Sequence, residues 1–105
     1  MDALKLLAVL AHPDDESMGM GATLAKYSAE GVETHLVCAS RGEVGWFGPE
    51  EQDPSPDRLA QIRTKELQNA VNVLGMKEVH FLNYIDGDVD KAPHAEIIQK
   101  IVTHI

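Results

Sequence analysis

The chain has 105 residues, of which 44% are hydrophobic and 25% charged, with a formal net charge of −8 at pH 7. These values exclude a disordered chain, and the acidic balance argues against nucleic acid as a partner. No apolar run approaches the roughly 18 residues of a membrane span, the signal-peptide pattern is missing, and the single cysteine, Cys38, excludes an internal disulfide and a cysteine-based zinc cluster.

Residues 4–11 form a continuous apolar run that stops at His12-Pro13, which predicts a strand buried on both faces. A helix is expected over 17–30, ended by Gly31 as its C′ residue, and a second strand over 32–39. Residues 40–57 read as a long loop, a feature that is functional or mobile in compact domains. Ser55-Pro56 then looks like an N-cap followed by proline at the first helical position. Leu59, Ile62, Leu67, Ala70, Val71 and Leu74 follow a helical period up to Gly75. A short third strand is expected over 78–82, an acidic turn at 86–90 and a third helix over 93–104, with Ile97, Ile98, Ile101 and Val102 as its stripe. The order β-α-β-α-β-α predicts an α/β fold, a Rossmann-like parallel sheet with flanking helices and right-handed crossovers. Ligands in such sheets bind beyond the carboxyl ends of the strands, which singles out residues 12–16, 40–45 and 83–90.

Of these, Ala11-His12-Pro13-Asp14-Asp15-Glu16 is the most informative. Pro13 pre-sets a helical φ, so His12 is expected near the N-cap with three carboxylates in the first turn. One reading is favourable charge on the helix dipole. The other is a metal site, since acids crowded into one cleft repel each other and a cation relieves them. His12 and Asp15 are three residues apart and can face one point, and both are ordinary zinc ligands. Asp14 points elsewhere, near enough to take a proton from a water at the metal.

The segment resembles the opening of the LmbE-like zinc deacetylases, which include the N-acetylglucosaminylphosphatidylinositol de-N-acetylases and the deacetylases of mycothiol and bacillithiol synthesis. The resemblance continues in Gly21-Ala22-Thr23-Leu24-Ala25, in Ser40-Arg41-Gly42-Glu43-Val44-Gly45, and in Arg63-x-x-Glu66 followed by Leu74-Gly75. It implies that His12 and Asp15 ligate zinc, with another divalent metal as an alternative, and that Asp14 is the general base. It implies a substrate-cleft role for Arg63, with Arg41 as a second substrate contact. The implied reaction is hydrolysis of an N-acetyl amide on an N-acetylglucosamine-type small molecule.

A catalytic zinc usually takes three protein ligands, and two are visible here. The family's third ligand is a histidine in a downstream His-Pro-Asp-His-type motif, which these 105 residues do not contain. His35 and His80 read as structural strand residues, His94 as exposed and His104 as terminal. The expectation is therefore the N-terminal part of a single deacetylase domain, inactive alone, with uncovered sheet surface that favours a homo-oligomer. A cytoplasmic location follows from the reducing compartment that the lone cysteine suggests.

Competing readings are a receiver-like metal-binding signalling domain, a non-catalytic α/β binding module, and a calcium loop at Asp86-x-Asp88-x-Asp90. The calcium loop lacks glycine at its sixth position and glutamate at its twelfth, so a solvated acidic turn is expected instead. Glu66 reads as structural, pairing with an arginine. Gly19 and Gly21 read as packing positions, Met18 and Met20 as core filler. Trp46-Phe47 reads equally as a lid or as packing under the loop, and Cys38 as buried and inert.

Overall fold

The computed structural model describes residues 4–105. Strand β1 (Lys5–Leu10), helix α1 (Asp15–Ala29), strand β2 (Glu33–Cys38), helix α2 (Pro56–Leu74), strand β3 (Glu78–Phe81) and helix α3 (His94–His104) follow one another in the expected order. The strands form one parallel sheet in the order β1-β2-β3. Leu6 pairs with Thr34 and Ala8 with Leu36, while Leu36 pairs with Val79 and Cys38 with Phe81.

Side chains alternate across a strand, so each strand presents two faces. Leu6, Ala8, Leu10, Leu36, Cys38, Val79 and Phe81 meet Leu24 of α1 and Leu67 and Val71 of α2 in one core. Both helices therefore cover the same face. Leu59, Leu67 and Val71 are the buried positions of α2, which the helical period anticipates. The helix ends at Gly75, whose φ of 78° and close approach to Ser28 disfavour a side chain there.

The opposite face carries Leu7, Val9, His35, Val37 and His80. It is only thinly covered: Val9 is exposed, so β1 is not buried on both faces as its apolar run predicts. α3 reaches this face through His104, whose ring lies against His80. Its stripe is only partly buried, with Ile98 and Val102 exposed. Among the described residues no helix is long and apolar enough to cross a membrane.

Smaller expectations divide. Met20 packs against the core, but Met18 is 88% exposed. A side chain at Gly19 would meet nothing, and one at Gly21 would only touch the Glu16 carbonyl at 3.8 Å, so neither glycine is demanded by helix–sheet packing. Glu66 is exposed and joins no ion pair among the described residues. Cys38 is fully buried, and burial pushes its thiol up to about 12, which makes it inert.

Candidate metal site

The loops at the carboxyl ends of the three strands border an open cleft of about 390 Å³ lined by His12, Asp14, Asp15, Phe47, Asp86 and Arg63 of α2, among others. Its position is the one that parallel sheets use for ligands. Helix α1 has its N-cap two residues later than the proline suggests. Its N-cap is Asp14, not His12, and Asp14 sits in the left-handed region at φ 88°. Aspartate tolerates that region better than most residues, but it remains a strained position. The Asp14 carbonyl nevertheless starts the helix, accepting from the Ser17 and Met18 amides at 3.1 and 2.8 Å.

The strained turn separates the acids. Asp15 folds back, and its carboxylate accepts the His12 backbone N–H at 3.1 Å. This brings Asp15 Oδ2 to 3.7 Å from His12 Nδ1. Glu16 turns inward and is 1% exposed, so it does not belong to the cleft as the crowded-acid reading has it. Burial raises its carboxyl above the ordinary 4.5, partly offset by the backbone N–H groups of Glu16 and Ser17.

Arg63 organises the Asp14 turn. Its Nη2 donates to the Pro13 carbonyl at 2.8 Å and to Asp14 Oδ2 at 3.1 Å, and its Nη1 donates to the Gly42 carbonyl at 2.8 Å. Gly42 and Gly45 leave the space the guanidinium occupies, because a Cβ at either would run into Nη1. Arg63 thus lines the cleft and also clasps the loops after β1 and β2. Arg41 lies elsewhere. Its Nε donates to Asn83 at 3.1 Å and its Nη1 to Thr64 at 2.8 Å, while its guanidinium covers the Phe81 ring. It is not among the residues lining the His12 cleft.

Asp86 is the residue that sequence reasoning missed. It was expected in a solvated acidic turn, yet it is buried, with Oδ1 3.0 Å from His12 Nε2. Its Oδ2 accepts the Val44 N–H at 3.1 Å, and its own N–H donates to Glu43 Oε1 at 2.8 Å. The two loops are latched by this exchange. Asp88 instead pairs with Lys91, so the acids of 86–90 do not converge as calcium ligands would. The available signal was position: Asp86 falls just beyond β3, at the ligand-binding end of the sheet. The aromatic pair also divides, with Trp46 Nε1 donating to the Pro49 carbonyl at 3.0 Å and Phe47 standing exposed at the cleft rim.

The donor set fits a metal in part. His12 Nδ1 and Asp15 Oδ2 face each other, while the second ring nitrogen of His12 is held by a buried carboxylate, an arrangement common behind metal-ligating histidines. Among the described residues, three donors come within 4.8 Å of one another at a different place, His35, Glu78 and His80.

The family profile described as "PIG-L: GlcNAc-PI de-N-acetylase" matches residues 7–105. The chain belongs to this family. It is 46% identical over 84 residues to a 1D-myo-inositol 2-acetamido-2-deoxy-alpha-D-glucopyranoside deacetylase from Kineococcus radiotolerans, an overlap of 79% of this chain and 23% of that protein. The solved N,N'-diacetylchitobiose deacetylase from Pyrococcus horikoshii superposes with a TM-score of 0.79 and 37% identity, covering 97% of this chain and 36% of that one. GalB, the 4-carboxy-2-hydroxymuconate hydratase from Pseudomonas putida KT2440, superposes with a TM-score of 0.66 and 28% identity, covering 76% and 34%. The chain thus spans roughly a quarter to a third of the length of these proteins.

Proposed function

We propose that this PIG-L family chain carries the metal-binding and proton-accepting part of a zinc-dependent N-deacetylase acting on an N-acetylglucosamine-type substrate. The observation that carries the reading is the meeting of His12, Asp14, Asp15 and Asp86 in one cleft at the carboxyl ends of the strands. His12 Nδ1 and Asp15 would hold the metal, and a further donor would come from outside these residues. Zinc, when bound, supplies Lewis-acid polarisation of the amide carbonyl and a water of lowered pKa.

The rest of the chemistry falls to the chain itself. Asp14 stands beside the metal-facing pair without joining it; Arg63 holds its Oδ2, which leaves Oδ1 to take a proton from the attacking water. Hydrolysis breaks the amide C–N bond, releases acetate and leaves an amine, to which the same carboxyl group can return the proton. Arg63 fixes the Asp14 carboxylate and presents the cleft's one guanidinium, a local positive charge in a protein of net charge −8. Asp86 fixes the His12 ring from its far side. Phe47 at the rim would cover a sugar ring.

The hydratase relative shows that the fold alone does not decide the reaction. Amide hydrolysis is favoured because the stronger sequence similarity is to deacetylases. The uncovered face with Val9, Ile98 and Val102 supports association, with the rest of a longer chain or with another copy. The free, buried Cys38 supports a reducing, cytoplasmic setting.

The test is Asp14→Asn in the full-length protein carrying this segment, assayed for acetate release from an N-acetylglucosamine derivative. Turnover should fall by about 10²–10⁴-fold, the usual contribution of a positioned base, while zinc content stays unchanged. Unchanged turnover would refute the assignment of Asp14.

A further inference from the structure

The chain has five histidines, and three of them, His35, His80 and His104, gather on the sheet face away from α1 and α2. The parallel register sets His35 beside Glu78 and Val37 beside His80. Alternation therefore puts Glu33, His35, Glu78 and His80 on one surface. The rings of His35 and His80 are stacked at 6.5 Å with an interplanar angle of 11°. His104, from the end of α3, brings its ring centroid to 4.4 Å from that of His80. One donor atom each from His35, Glu78 and His80 lies within 4.8 Å of the others, and His80 Nε2 is already 3.1 Å from Glu78 Oε2.

A tetrahedral zinc holds its donors about 3.3 Å apart, so small side-chain rotations would close this set around an ion. The face is open enough for an ion to enter, since both strand histidines are only half-buried. A cavity of about 270 Å³ bounded by Leu7, His35 and His104 adjoins them. Imidazole with carboxylate suits zinc, nickel or copper(II), and not calcium or magnesium. Strand-centre positions on a sheet face are ordinarily apolar, as Leu7 and Val37 are here, and imidazoles at His35 and His80 leave polar nitrogens needing partners.

The geometry points to a second transition-metal site, separate from the His12 cleft. His35, Glu78 and His80 form its base and His104 closes it, so that a zinc-class ion ties the end of α3 to the sheet. Otherwise that helix is held at Tyr84, whose hydroxyl meets Glu96 at 3.0 Å and whose ring lies under Lys100, while Ile98 and Val102 stand exposed. The site does not rest on the deacetylase reading.

The test uses the 105-residue chain carrying His12→Ala and Asp15→Ala, which removes the cleft donors. Zinc titration against a chromogenic chelator should give one bound equivalent. Copper(II) in the same protein should give an electron paramagnetic resonance spectrum with at least two nitrogen donors. Adding His35→Gln or His80→Gln should weaken zinc binding by at least about tenfold, no less than the loss of an outer-shell partner costs. Far-UV circular dichroism without metal checks that each variant is folded, and if either is not, the copper spectrum of the parent decides alone. Fewer than two nitrogens in that spectrum, or zinc affinity indifferent to both glutamine variants, would overturn the site.

Discussion

Removing the Arg63 guanidinium probes how the candidate site is held together. Three bonds disappear in Arg63→Ala: those to the Pro13 and Gly42 carbonyls at 2.8 Å, and that to Asp14 at 3.1 Å. The ion pair contributes least, because Asp14 is 66% exposed although Arg63 is only 16% exposed, and exposed pairs are worth about 0–1 kcal/mol. Each part-buried bond from the charged guanidinium to a carbonyl is worth about 1.5 kcal/mol, the low end for charged donors. The sum is about 3 kcal/mol, within the 5–15 kcal/mol or so of an ordinary domain. Urea unfolding should report that loss with an unchanged slope, and thermal melting a drop of about 12 °C. A cycle with Gly42→Ala sharpens the test. The new methyl group would overlap Nη1, and the positive φ of 67° adds strain of its own. The overlap vanishes once Arg63 is alanine, so the double variant should be less destabilised than the sum of the singles. A loss below about 1 kcal/mol, or an additive cycle, would refute the clasp.

Other outcomes follow from the same contacts. Asp86→Ala should cost about 1–3 kcal/mol in denaturant unfolding, because it strips a buried acceptor from the Val44 N–H; in the full-length protein it should also weaken zinc by about 10–100-fold by calorimetry. Glu16→Gln should stabilise the metal-free chain at pH 7 relative to pH 4. The folded carboxyl titrates above its ordinary 4.5, so wild type is penalised as pH rises through 4.5 toward the raised value and stays penalised above it, while the amide is not. Equal stability differences at the two pH values would contradict this. Cys38, pushed up to about 12, should resist iodoacetamide in the native protein and react only after unfolding, as mass spectrometry would show.

Much of the fold is legible in the sequence because strand runs, the helical period of α2 and the glycine at its end are local signals. The element boundaries move by a residue or two, as fraying ends do. What the sequence hides is tertiary. The apolar run of β1 is compatible with two covered faces, but which of them is covered depends on where α1, α2 and α3 land. At the site, the spacing of His12 and Asp15 allows their meeting, but by a different route from a shared helical turn: His12 lies outside α1, and Asp15 folds back to accept its backbone N–H. The inward turn of Glu16 follows from the left-handed backbone at Asp14, which proline spacing does not reveal. Asp86 escaped because it is brought to His12 from the far end of the chain, 74 residues away by number. Arg41 shows the converse, a motif arginine whose local surroundings, Thr64, Asn83 and Phe81, occupy it elsewhere.

The most direct test of the metal half-site is ¹⁵N nuclear magnetic resonance of the His12 ring in the 105-residue chain, with excess zinc and with His12→Ala for assignment. The account predicts that zinc shifts Nδ1, the nitrogen facing Asp15, while Nε2 keeps its proton against Asp86. Ring nitrogens unmoved by zinc, or a shift at Nε2 with Nδ1 unchanged, would contradict it.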